Sequence, residues 1–106
     1  MAEIPLSYEE IKAEGDIPQA RFGHTITSIN PQMAVLFGGA INTSSTFDMT
    51  NDTYLFSIFR LSWTKVRVQG TLPSPRAAHA ATRTDNLQLV IYGGAAKGIN
   101  RTHDRR

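Results

Sequence analysis

Three histidines are the side chains of this 106-residue sequence best suited to metal binding or proton transfer. A neutral imidazole can ligate zinc, and its charge changes near physiological pH. His24 and His79 each follow an arginine by three residues, Arg21 and Arg76, whereas His103 stands outside this pattern. The recurrence of one pattern at two places favours a structural role for His24 and His79. For the two arginines, a structural role and contact with a ligand both remain open.

Two glycine pairs, Gly38-Gly39 and Gly93-Gly94, form a second candidate site, since glycine-rich loops can bind phosphate groups. A Walker loop needs a lysine and then serine or threonine after its last glycine, and Lys97-Gly98 has the wrong order. Glycines at tight backbone corners are therefore favoured. The chain has no cysteine, which excludes disulfides and cysteine-based zinc sites. The sequence predicts no catalytic residue, no cofactor and no metal.

The composition is that of one ordinary globular domain, with 41% hydrophobic and 19% charged residues. No apolar run approaches the roughly 20 residues of a membrane-spanning helix, and the first residues do not resemble a secretory signal. The net charge of +2 arises in a short basic tail, which lacks aromatic side chains for base stacking. We therefore expect a cytoplasmic or nuclear protein that binds neither a membrane nor nucleic acid.

The elements that must position these residues follow from an internal repeat. Residues 8–40 align without a gap to residues 63–95, at an offset of 55 positions, and nine of the 33 aligned positions are identical. The identical pairs are Gly15/Gly70, Pro18/Pro73, Arg21/Arg76, His24/His79, Thr27/Thr82, Val35/Val90, Gly38/Gly93, Gly39/Gly94 and Ala40/Ala95. Other pairs keep their chemical type, as do Tyr8 and Trp63. The chain is predicted to hold two copies of one structural unit.

The segments inside each unit have the patterns of short strands. Residues 33–37 and 87–92 are apolar runs that end at a glycine pair, which is typical of buried strands. Residues 23–29, 52–58 and 63–68 alternate polar and apolar side chains, as strands with one buried face do. The composition of residues 8–14 favours helix, but their place in the repeat predicts a strand. An all-β fold is therefore expected.

An apolar strand ending in Gly-Gly, a polar loop, a tyrosine, a tryptophan and Gly-x-x-Pro-x-x-Arg-x-x-His together resemble the kelch repeat. This resemblance implies a fragment of a β-propeller, in which each repeat forms one four-stranded blade. Residues 21–69 would be one complete blade, 7–13 the outer strand of the preceding blade, 76–94 the inner strands of the next, and 95–106 a basic tail. The structural signature comprises His24, Gly38, Gly39, Tyr54, Trp63, His79, Gly93 and Gly94.

A narrower resemblance concerns residues 74–81 and the Phe-Gly-Gly-Ala run at 37–40. Both are similar to the kelch segment of serine/threonine protein phosphatases that carry kelch repeats ahead of a catalytic domain. The metal-binding motifs of that family, such as Gly-Asp-x-His-Gly and Gly-Asn-His, do not occur in this sequence. The resemblance implies a parent enzyme whose catalysis lies outside this chain.

The polar stretch of residues 40–49 is predicted to be a long loop and the main candidate for protein contact, because loops on a rigid scaffold often carry recognition. Phe47 and Met49 offer apolar contact area there, and Arg21 and Arg76 complete the candidate contact residues. The alternative is that Phe47 and Met49 pack on their own blade.

The predicted function is a non-catalytic protein-interaction scaffold, and fewer than two blades also predict self-association through open strand edges. The alternatives are a propeller enzyme with its site at a channel mouth and a structural or actin-associated kelch protein.

Overall fold

The computed structural model describes residues 3–86 and 88–96, and within these ranges the secondary structure is entirely β. The prediction of an all-β fold is confirmed. The strands are β1 (Glu14–Gly15), β2 (Arg21–Phe22), β3 (Thr25–Asn30), β4 (Met33–Phe37), β5 (Ala40–Asn42), β6 (Phe47–Met49), β7 (Thr53–Ser57), β8 (Ser62–Lys65), β9 (Arg76–Ala77), β10 (Ala80–Arg83), β11 (Leu89–Tyr92) and β12 (Ala95–Ala96).

The main sheet is an antiparallel meander of β3, β4, β7 and β8, with the short strand β1 added in parallel beside β8. Alternation of side chains along β3 leaves one face of that strand partly buried and the other exposed. The tight connection to β4 is stabilised locally, because the Asn30 side-chain oxygen accepts a hydrogen bond of 2.8 Å from the Gln32 amide. Short turns join β3 to β4 and β7 to β8, whereas β5 and β6 lie in the chain between β4 and its partner β7.

A second, shorter unit repeats the first half of this arrangement. The hairpin of β10 and β11 pairs Thr82 with Val90, as β3 and β4 pair Thr27 with Val35. Strand β12 likewise pairs with β9 as β5 pairs with β2. The offset of 55 residues in the sequence thus reappears as the same strand register in space.

The buried core lies at the junction between the main sheet and the second unit. Its apolar members are Leu36, Phe37, Ala40, Tyr54 and Ala77, and one polar side chain, His79, is buried with them. Leu36, Phe37 and Tyr54 come from the two central strands, β4 and β7, whereas Ala77 and His79 come from the second unit. The two units are therefore joined by a shared apolar contact and not only by the chain.

Residues 7–13 differ from the prediction, because the structure has no strand there. The chain enters the sheet only at β1, and Tyr8 is almost fully exposed. A strand is stabilised by hydrogen bonds to a neighbouring strand, and the described residues provide no neighbour for this segment. The repeat position alone was therefore a misleading guide here.

Residues 40–49 also differ from the prediction of a long loop, since β5 and β6 form a hairpin within them. The Thr43 amide and hydroxyl both donate to the Thr46 carbonyl oxygen, at 2.8 and 2.9 Å, and close the turn. Strand β2 pairs with β5 on the other side, giving a sheet of three short strands. Of the predicted basic tail, residues 97–106 lie outside the described part of the chain.

Candidate functional site

His79 is held inside the junction between the two units. Its Nε2 atom lies 2.9 Å from the Thr25 hydroxyl oxygen, and its ring meets the Phe37 ring edge-on with 5.3 Å between centroids. Only 8% of the residue is exposed. These contacts support the structural interpretation of this histidine, because they join strand β3 and strand β4 to the second unit.

His79 predicts a pH dependence of stability. Burial, which removes the charged imidazole from water, lowers its pKa, and the positive charge of Arg76 acts in the same direction. The unfolded chain then binds a proton more tightly, so the free energy of unfolding is largest above the unfolded histidine pKa of about 6.5. It falls as the pH is lowered through that value toward the pKa of folded His79.

Urea unfolding at about pH 7.5 and about pH 5.5 measures this loss. The His79→Gln variant should lose part of the difference between the two pH values, because glutamine does not titrate. An unchanged pH dependence in this variant would contradict the assignment.

The two arginines of the repeat make the same contacts in both units. Arg21 donates from Nε to the Gln19 carbonyl at 3.0 Å and from Nη1 to the Gly38 carbonyl at 3.2 Å. Arg76 donates in the same way to Ser74 and to Gly93, both at 3.2 Å. The Arg21 guanidinium also lies over the Tyr54 ring, 5.3 Å from its centroid. Both guanidinium groups are therefore used within the fold, which supports the structural interpretation.

The first glycine pair lies where the backbones of the two units meet closely. The Gly39 amide donates to the Arg76 carbonyl at 2.8 Å. A Cβ atom on Gly38 would lie 2.8 Å from that carbonyl oxygen and 2.8 Å from His79 Cε1. Gly38 also has a backbone φ of +73°, which residues other than glycine rarely adopt. The pair thus serves tight backbone packing, which is a structural role and not a phosphate site.

The aromatic signature residues Tyr54 and Trp63 pack within the main sheet. The Trp63 ring is edge-on to Tyr54 with 6.3 Å between centroids and lies 4.8 Å from Phe56. The backbone of β1 passes directly beside Trp63, whose carbonyl accepts a hydrogen bond of 2.9 Å from the Asp16 amide. Asp16 in turn accepts a bond of 3.0 Å from the Lys65 amide through its carboxylate. Trp63 is therefore part of the packing of this sheet.

The three-stranded sheet of β2, β5 and β6 carries the most prominent pair of exposed aromatic side chains. Phe22 and Phe47 are each 54% exposed and meet edge-to-face, with 5.0 Å between centroids and 86° between planes. The strand register places Phe22, Ala40 and Met49 in one row, and Phe47 on the same face two residues from Met49. Phe22, Phe47 and Met49 are called the aromatic patch below.

Phe22 was missed by the sequence reasoning, whose candidate contact residues were Phe47, Met49, Arg21 and Arg76. The signal available was its place beside Arg21, where the second unit has Ala77. A large aromatic side chain that departs from its repeat equivalent indicates a role specific to this unit. The patch also combines the two interpretations of Phe47, because that side chain packs on Phe22 of its own unit and remains half exposed.

The described residues hold no group of three or more histidine, aspartate or glutamate side chains placed to bind a metal ion.

A shallow cleft of about 310 Å³ lies between β7, β8 and the following segment, with the Asp52–Lys65 ion pair of 3.7 Å in its wall. Within the ranges that the structure covers, no helix is long and apolar enough to cross a membrane.

Comparisons with known proteins place these features in a family. Residues 23–104 match the model of the KLHDC2/KLHL20/DRC7 Kelch-repeats domain. The Rho GTPase-activating protein gacHH of Dictyostelium discoideum is 37% identical over 78% of this chain and 6% of its own length. Dynein regulatory complex subunit 7 of Chlamydomonas reinhardtii is 33% identical over 79% of this chain and 7% of its own length. Tip elongation aberrant protein 3 of Schizosaccharomyces pombe is 34% identical over 86% of this chain and 8% of its own length. The chain therefore spans less than a tenth of the length of these relatives.

Proposed function

This chain belongs to the kelch-repeat family, and on that premise we propose that it is a non-catalytic protein-interaction segment that recognises its partner through the aromatic patch. The all-β sheets agree with a fragment of a kelch-type propeller. Kelch repeats generally mediate contacts between proteins. The relatives named above include proteins whose names denote regulation of a GTPase and of dynein.

The observation that carries the proposal is the half-exposed pair Phe22 and Phe47 on the three-stranded sheet of β2, β5 and β6. Aromatic side chains and methionine are enriched at protein interfaces, where large rigid rings contribute much of the binding energy. Contacts within the sheet, including the bond of 3.2 Å from the Gln19 side chain to the Asn42 carbonyl, hold the hairpin in place. A surface held in one conformation loses less entropy on binding.

We expect Phe47→Ala to weaken partner binding at least tenfold, since hot-spot aromatic side chains commonly contribute about 2 kcal/mol or more. The partner is first captured with the wild-type chain and identified, and its affinity for purified variants is then measured by calorimetry. Phe22→Ala should have a similar effect, because it removes the ring on which Phe47 packs.

Phe59 provides the matched control, because it is an exposed phenylalanine on the turn between β7 and β8, away from the patch. Phe59→Ala should leave the affinity unchanged. Equal losses in the Phe47 and Phe59 variants, or no loss in either, would show that the aromatic patch is not the contact surface.

The finer hypothesis is that the chain is the regulatory or substrate-targeting segment of a kelch-type serine/threonine phosphatase in the cytoplasm or nucleus. It is supported by residues 74–81 and 37–40 of the sequence, whereas the relatives named above are proteins of other kinds. Sequencing of the full-length transcript tests the phosphatase hypothesis. Gly-Asp-x-His-Gly and Gly-Asn-His motifs beyond the repeats would support it, and their absence from the complete reading frame would exclude it. Fluorescence microscopy of the tagged full-length protein tests the location.

A further inference from the structure

Equivalent positions of the two units differ in exposure on one face. Phe37 is 2% exposed, because the second unit covers it, whereas its equivalent Tyr92 is 67% exposed. Gly38 is crowded by Arg76 and His79, whereas a Cβ atom on Gly93 would meet nothing within 4 Å. Val90 lies two residues from Tyr92 on the same face of β11 and is also exposed. Val90, Tyr92 and Gly93 are called the acceptor face.

The other half of this contact is present at the opposite side of the molecule. Within the chain, this half is the segment from Arg76 to Ala81, whose Arg76 and His79 contact Phe37 and the first glycine pair. Its repeat equivalent is the segment from Arg21 to Ile26. Thr25 points toward His79, so the side chain of Ile26 points to the opposite side of β3, where it is exposed. His24 and Ile26 are called the donor face.

We propose that a second copy of this chain docks head to tail, with its donor face on the acceptor face of the first copy. The contact between copies would repeat the arrangement of the junction within the chain. His24 of one copy would lie against Tyr92 and Gly93 of the other, and Ile26 against Val90. The surfaces are different and complementary, so the association is heterologous. The donor and acceptor faces share no residue with the aromatic patch, although Phe22 of the patch lies two residues from His24 of the donor face.

One contact of the internal junction is missing from the acceptor face. His79 is hydrogen-bonded to Thr25, and the residue equivalent to Thr25 in the second unit is Ala80, which has no hydroxyl group. Ala80→Thr should therefore strengthen the association by about 2- to 10-fold, the value of one added neutral hydrogen bond. Ala80→Val has nearly the same shape without the hydroxyl and is the control.

The decisive experiment measures solution mass by sedimentation equilibrium from micromolar to millimolar concentrations. Wild type should exceed the monomer mass as the concentration rises. Ile26→Asp removes the donor face and Tyr92→Asp the acceptor face, so each variant alone should remain monomeric. An equal mixture of the two should form a heterodimer, since each variant retains the face that the other has lost.

Circular dichroism checks that the two aspartate variants keep their β structure, as expected for exposed positions. A wild-type chain that is monomeric at every concentration, single variants that associate as wild type does, or a mixture that stays monomeric would each overturn the proposal. Equal affinities of Ala80→Thr and Ala80→Val would also count against it.

Discussion

Gly38→Ala is expected to lower the free energy of unfolding by about 3 kcal/mol, whereas Gly93→Ala lowers it by about 1 kcal/mol. Both glycines have positive φ, +73° and +80°, so an added methyl group strains the backbone similarly in the two variants. Only at Gly38 does the methyl group also meet the Arg76 carbonyl oxygen and the His79 ring. The difference between the variants therefore isolates the close approach of the two units.

Urea unfolding of the two variants beside wild type provides the measurement. Fluorescence of Trp63 reports on the main sheet, because Trp63 is the single tryptophan of the chain. Equal losses in Gly38→Ala and Gly93→Ala would mean that the junction tolerates a side chain at Gly38, contrary to the geometry.

Phe37→Ala should cost about 3 to 5 kcal/mol, the usual range for removing a buried phenylalanine from a core. The variant loses the edge-on contact with His79 and leaves a cavity at the junction of the two units. A chain of this size has a total stability of roughly 5 to 15 kcal/mol, so this loss is a large fraction of the total and should lower the urea midpoint clearly.

Tyr92→Ala is the matched control, because it changes the repeat equivalent of Phe37. Its side chain is exposed, so the expected loss is about 0.5 kcal/mol or less. Both variants are compared at micromolar concentration by thermal and urea unfolding, where association between copies contributes least. A loss at Tyr92 as large as that at Phe37 would contradict the difference in burial.

The repeat made much of the fold predictable. Local patterns place β3, β4 and β7 within two residues of their observed bounds and β8 within three, because side-chain alternation and apolar runs ended by glycine are properties of the strand itself. The identity of Arg21 with Arg76 and of His24 with His79 also anticipated a shared structural role. The hydrogen bonds of both arginines to the first glycine of their own unit's pair are consistent with that interpretation.

The aromatic patch could not be predicted in full, because it depends on a pairing between distant segments. Phe22 and Phe47 are 25 residues apart in the sequence, and they meet only because β5 pairs with β2 on one side and β6 on the other. A polar stretch rich in serine and threonine has no strong local preference for a strand. The hairpin of β5 and β6 forms where β2 offers backbone hydrogen bonds.

What the sequence alone determined is the repeating unit: the positions of the strands, the glycine corners and the arginine–histidine pattern. Tertiary structure decided which copy of each position is buried. Phe37 and Tyr92 occupy the same place in two units, yet one is covered and the other exposed, because burial depends on a neighbouring unit. Residues 7–13 show the same dependence, since a strand needs a partner for its backbone and the repeat pattern cannot supply one.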